Sequence, residues 1–155
     1  MKITLLVVSK TNVPYVKDGI DDYVGRLKHY TDFAMETVTA KTSSTTPEEV
    51  KRQEGEMILR HLRKADRVIL LDEHGTEFRS VGFADYLQKQ ANSGVRNLYF
   101  VIGGAYGFSE EVYRASHGLV SLSRMTFNHQ MVRLFFAEQL YRAFTILNHE
   151  KYHNE

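Results

Sequence analysis

Two hydrophobic rhythms alternate along this chain. Ile3 to Val8 is almost continuously apolar, the pattern of a strand buried on both faces. From Tyr15 to Tyr30 the rhythm changes: Tyr15, Val16, Ile20, Tyr23, Val24 and Leu27 recur every three or four residues, which predicts a helix with Pro14 in its first turn. Phe33 to Ala40 reads as a strand, with Thr37, Val38 and Thr39 favouring extended backbone. Lys41 to Thr46 reads as a polar, mobile loop. Thr46-Pro47-Glu48-Glu49 then predicts a capped helix start, with Glu49 closing a capping box and the helix reaching about Lys64. Val68 to Leu71 is a short strand ending in the turn Asp72-Glu73-His74-Gly75. Ser80 to Ala91 is a helix closed by Asn92-Ser93-Gly94.

The pattern then tightens. Leu98 to Ile102 carries no polar position except Tyr99 and runs into Gly103-Gly104-Ala105-Tyr106-Gly107. Ser109 follows, opening a helix whose first turn holds Glu110 and Glu111 and which extends to about His117. A strand from Leu119 leads to Ser123-Arg124-Met125-Thr126-Phe127, and the longest helix spans Met131 to Leu147. Its apolar stripe is Val132, Phe135, Phe136, Leu140, Ala143, Phe144 and Leu147. Continuous apolar strands alternating with helices specify an α/β fold, a mostly parallel sheet with helices on both faces.

Composition narrows the chemistry. No repeat or linker divides the 155 residues, so they read as one domain, and the absence of cysteine excludes thiol catalysis and thiolate metal sites. The apolar start is too short for a signal peptide or a membrane span, which predicts a cytoplasmic protein without a membrane partner. A net charge of +1 argues against a large electrostatic grip on free nucleic acid. His149 and His153 stand at a metal-compatible helical spacing but have no adjacent third ligand, so no metal site is expected.

In parallel sheets, ligands bind outside the carboxyl ends of the strands. Three loops qualify: Asp72 to Gly75, Gly103 to Gly107, and Ser123 to Phe127. If their strands are neighbours, the loops line one pocket. Neither G-x-G-x-x-G nor a phosphate loop is present, so a dinucleotide or nucleoside triphosphate is not the expected ligand. Asn128 and His129 read as capping the last helix and holding its loop. Glu138 and Arg142 have the spacing of a helical ion pair.

Taken together, Phe100 to Gly107, Ser121-Leu122-Ser123, Thr126 to Arg133, and Glu138 to Ala143 through Tyr152-His153 resemble the ribosomal RNA large-subunit methyltransferase H family of the SPOUT class. The resemblance covers the whole chain. It implies an α/β fold with a C-terminal trefoil knot, a homodimer, and S-adenosylmethionine bound in the knot. The implied reaction is methylation of N-3 of a pseudouridine in large-subunit ribosomal RNA within the assembled ribosome. Carried over by motif, the cofactor contacts are Leu71, Gly103, Gly104, Leu122, Ser123, Arg124, Met125, Thr126 and Phe127. Tyr152 and His153 become candidates for proton removal or for holding the base, with Glu138 and Arg142 shaping a composite site across the dimer.

Two departures stand out: Asn128 occupies a position where the family commonly has proline, and Asn154 one where it usually has arginine. The alternatives are an enzyme acting on a free nucleotide and a non-catalytic ribosome-binding factor with the same fold.

Overall fold

The strands form where the apolar runs predict them. A computed structural model, describing residues 1–39 and 45–154, has β1 at Lys2–Val8, β2 at Asp32–Val38, β3 at Arg67–Glu77, β4 at Asn97–Ile102 and β5 at Gly118–Ser121. The helices are α1 (Pro14–Leu27), α2 (Pro47–His61), α3 (Ser80–Asn92), α4 (Glu110–Ala115) and α5 (Met131–Leu147). All strand pairs are parallel, in the order β2-β1-β4-β3-β5. This order makes β4, β3 and β5 consecutive neighbours, so the three candidate loops emerge side by side at one edge of the sheet.

Alternation along each strand divides the core in two. Ile3, Leu5, Val7, Leu98, Phe100 and Ile102 face α1, α3 and α5, where Leu27, Phe83, Leu87, Phe136 and Leu140 are buried. Leu6, Val8, Leu70, Tyr99 and Val101 face α2 and α4, through Ile58 and Val112. Both faces are therefore covered, as continuous apolar strands require.

Several local expectations change. Helix α2 begins at Pro47 as predicted, yet the Thr46 side chain does not cap it. Glu49 accepts hydrogen bonds from Arg52 and Gln53 instead of reaching back to the helix start, so the capping box does not form. The helix gives way at Leu62–Lys64 to a 3-10 turn. Strand β3 continues past the predicted turn to Glu77, because its pairing with β5 breaks between Leu71 and Thr76 and resumes afterwards. Residues 72–75 are thus a bulge lifted out of a strand rather than the strand's end. The predicted loop at 41–46, and Ala40 at the end of the predicted second strand, lie largely outside the described residues.

Helix α5 differs in what it buries. Phe136, Leu140 and Ala143 are inaccessible, whereas Phe135, assigned to the same stripe, is 42% exposed. Arg133 is fully buried instead. Its guanidinium donates to the carbonyls of Val8 (2.6 Å), Ser9 (2.9 Å) and His129 (3.0 Å), and to Thr11 Oγ1 at 2.8 Å. Burial pulls its pKa down to about 10, still leaving it charged at neutral pH. Gln130 makes a parallel link, accepting from the Asn12 amide (3.0 Å) and donating to the Lys10 carbonyl (3.1 Å). These two side chains bind the start of α5 to the carboxyl end of β1.

Candidate functional site

The loop after β4 is shaped by its glycines. Gly107 has φ +83°, a region that side chains rarely adopt, and its amide donates to the Gly104 carbonyl at 3.1 Å. The chain then enters α4, whose first turn is capped by Ser109 Oγ accepting from the Val112 amide. At Gly104 the space a Cβ would take is filled by the Glu54 carboxylate, 2.6 and 2.7 Å away. A side chain at 104 would therefore have to displace the Glu54 carboxylate behind the loop.

The bulge after Leu71 is organised by Asp72. Its Oδ1 accepts from the His74 amide (2.8 Å) and the His74 ring Nδ1 (3.0 Å), and its Oδ2 accepts from the Tyr113 hydroxyl on α4. Burial works to raise the Asp72 pKa, but these donors together hold the carboxyl below its ordinary value. Tyr113 is pushed well above the usual phenol range by burial and by Asp72. The hydrogen bond to Asp72 gives Nδ1 the ring hydrogen of a neutral His74.

The loop after β5 folds on itself and onto the bulge. Ser121 Oγ donates to the Ser123 carbonyl at 2.9 Å, and Ser123 Oγ accepts from the Met125 amide at 3.0 Å. Thr126 Oγ1 donates to Glu73 (3.1 Å), and Arg124 pairs with Glu77 at 2.8 Å. Asn128 Oδ1 accepts from the amides of Gln130 and Met131, so Asn128 takes the capping role its position suggested.

Together the three loops enclose a cleft of about 520 Å³, within the range of small-molecule sites. Leu71, Gly103, Gly104, Leu122, Ser123, Met125, Thr126 and Phe127 line it; Arg124 does not, its side chain being turned outward to Glu77. Asp72, Glu73, His74, Tyr106 and His129 line it too, and so does Tyr113, which the sequence reading passed over. The signal for Tyr113 was its place on the first helix after the glycine loop, one turn beyond Ser109. Among the described residues no lysine or arginine lines the cleft, while Asp72 and Glu73 do, so their fixed charge there is negative.

The other four predicted residues form a separate cluster outside that lining. Arg142 donates to Glu138 Oε1 through Nη2 (2.5 Å) and Nε (3.1 Å), and through Nη1 to His153 Nδ1 at 3.1 Å. A guanidinium only donates, so His153 Nδ1 accepts and its hydrogen sits on Nε2. Tyr152 donates to Glu138 at 3.1 Å and lies 3.2 Å from the Tyr23 hydroxyl, with the Arg142 guanidinium 4.8 Å from its ring centre. Burial and Glu138 push the Tyr152 pKa far above that of a free phenol. Neither tail residue is set up as a base in this arrangement. Among the described residues, no group of three His, Asp or Glu side chains could hold a metal.

Comparison with known proteins decides the family. A model described as "Predicted SPOUT methyltransferase" matches residues 1–153. The chain belongs to the SPOUT methyltransferases. Within them it falls in the large-subunit methyltransferase H group. It is 50% identical to the Ribosomal RNA large subunit methyltransferase H of Bacteroides fragilis over 157 residues, covering all of both chains. Against that of Flavobacterium johnsoniae the identity is 51%, again over the full length of both.

The fold is shared with solved structures of much lower sequence identity. A probable methylase family protein from Haemophilus influenzae superposes with a TM-score of 0.53 at 12% identity, covering 99% of this chain and 70% of the other. A probable methyltransferase from Bordetella pertussis gives 0.51 at 12% identity, covering 92% and 95%.

Proposed function

We propose that this SPOUT methyltransferase binds S-adenosylmethionine in the cleft and methylates N-3 of a pseudouridine in large-subunit ribosomal RNA, acting on the assembled ribosome. The observation that carries the cofactor is the charge of the cleft. A nucleotide bearing phosphates would meet Asp72 and Glu73 with no lysine or arginine among the described lining residues, whereas a cationic nucleoside sulfonium suits that field. The adenine edge would lie against the backbone of Gly103 and of the run Leu122 to Phe127, where the cleft is bordered by these loops. The apolar side chains of Leu71, Leu122 and Phe127 can cover its faces. When bound, the cofactor supplies an activated methyl group; the protein's part is to orient it and to exclude water. Support for ribosomal RNA as substrate comes from the full-length relatives named for that activity.

The tail cluster supplies the second half of the site. With its hydrogen on Nε2, His153 is held in a donor tautomer, but that nitrogen is buried in this arrangement, so the tail must shift before it can meet a carbonyl oxygen of a pyrimidine losing its N-3 proton. Arg142 and Glu138 fix that tautomer, and Tyr152 holds Glu138. Because none of the four lines the cleft of its own chain, we propose that they reach the cleft of a second copy in a homodimer, with the C-terminal chain knotted as the family resemblance implies. An apolar groove supports this: Phe78, Phe83, Leu122, Phe127, Phe135 and Gln139 line it, and Phe127 and Phe135 meet with ring centres 5.4 Å apart. Gln139 joins the groove to the tail cluster, donating to Glu138 at 2.8 Å. A modest net charge of +1 suits recognition of an assembled ribosomal surface rather than of naked RNA.

The test is transfer of a labelled methyl group from S-adenosylmethionine to purified ribosomes lacking the modification, followed by mapping of the labelled nucleotide. Label at a pseudouridine N-3 is the expected result. Cofactor binding without transfer would leave a non-catalytic ribosome-binding factor.

A further inference from the structure

Behind the glycine loop lies a carboxylate that has no donor to its buried oxygen among the described residues. Glu54, on α2, packs its two oxygens where a side chain at Gly104 would begin. Its Oε1 is buried and makes no hydrogen bond. Burial pushes the Glu54 carboxyl above its ordinary value, with no charge among the described residues offsetting it. The cations nearest in sequence are engaged elsewhere, Lys51 with Glu48 and Arg52 with Glu49 and Glu56. The placement is enforced by close packing, since a Cβ on Gly55 would strike Ser109 Oγ at 2.4 Å. Helix α2 is thus pressed onto both ends of the loop that walls the cleft.

An ionised carboxylate half out of water without a donor or cation is costly. The other acids at the cleft keep their charge but have donors, Asp72 from Tyr113 and His74 and Glu73 from Thr126, whereas Glu54 Oε1 has none. A cation entering the cleft on the far side of Gly104 would supply the charge that none of the described neighbours gives Glu54.

We propose that Glu54 is the counter-charge for the sulfonium of the bound cofactor, acting across the Gly104 backbone and making the cleft favour S-adenosylmethionine over its demethylated product. The inference rests on the reading of the cleft as the cofactor site. Cofactor and product share the adenosine, the amino group and the carboxylate; they differ by a methyl group and one positive charge. An electrostatic contribution from Glu54 therefore acts on one ligand and not on the other. A merely structural support for the loop would act on both alike. Glu54 is a specificity-determining residue in this scheme, not a catalytic one.

Calorimetry with the full chain separates the possibilities. Wild type is expected to bind both ligands. Glu54→Gln, which keeps the shape, should weaken S-adenosylmethionine by about five- to tenfold while leaving the product's affinity unchanged. Titrating wild type near the midpoint of Glu54 ionisation, in buffers of different ionisation enthalpy, gives a second readout that needs no variant. Proton release should accompany S-adenosylmethionine binding and be absent with the product. Equal loss for both ligands, or no loss with no proton release, would overturn the role of Glu54 while leaving the cofactor site standing. Failure of folded wild type to bind either ligand would overturn the cofactor site and this inference with it.

Discussion

Tyr23 on α1 and Tyr152 in the tail, 129 positions apart, are joined hydroxyl to hydroxyl at 3.2 Å. Because Tyr152 gives its hydrogen to the Glu138 carboxylate, Tyr23 must be the donor to Tyr152. A chain of polar contacts thus runs from Tyr23 through Tyr152, Glu138 and Arg142 to His153. Its first member lies outside every motif singled out in the sequence. Tyr23→Phe should cost about 1 kcal/mol of stability and slow methyl transfer to ribosomes several-fold. Affinity for S-adenosylmethionine should be unchanged, because Tyr23 does not line the cleft. Equal effects on transfer and on cofactor binding would show that Tyr23 acts through the fold rather than the tail.

The tail has a second anchor with its own pH signature. Tyr30 donates to both oxygens of Glu150, at 2.8 and 2.7 Å, and this bond, followed by burial, pushes its pKa up to about 12 from an ordinary 10.0. A raised pKa in the folded state means that the contribution is complete below pH 10 and is lost as pH rises toward 12. Thermal melts across that window should show a decline that is shallower in Tyr30→Phe. An identical decline in both proteins would assign it to other groups.

Arg133 tests what holds the start of α5. Arg133→Met keeps much of the volume but leaves the carbonyls of Val8, Ser9 and His129 without their donor. Buried polar groups left unpaired cost about 1–3 kcal/mol each, so urea unfolding should report a loss of about 3 kcal/mol or more. Affinity for S-adenosylmethionine should fall as well, since His129 and Val132 line the cleft.

Phe135 tests the proposed pairing of two copies. Phe135→Glu places a charge on a 42% exposed ring in the apolar groove, where folding of the monomer does not depend on it. Sedimentation should show a folded monomer at micromolar concentration, with methyl transfer lost and the circular dichroism spectrum retained. A dimer of unchanged stability would move the interface to another face.

The sequence alone determined a good deal of this molecule. Uninterrupted apolar runs such as Leu98–Ile102 specify buried strands, because only a sheet covered on both faces can hide them. The three-and-four periodicity of α1 and the Pro47 start of α2 specify helices in the same local way. Strand-end reasoning brought together most of the cleft lining, since a glycine loop after a buried strand is a short-range pattern. Tertiary structure alone decided the rest. The strand order that sets β3, β4 and β5 side by side arises from contacts between distant segments. So do the burial of Arg133 against β1, the hydrogen bond of Tyr113 to Asp72, and the link from Tyr23 to Tyr152. Above all, Gly104 reads in the sequence as a space for a ligand, and in the fold that space is filled by Glu54. Helix α2 lies some fifty residues earlier, and only packing could bring its carboxylate beneath the loop.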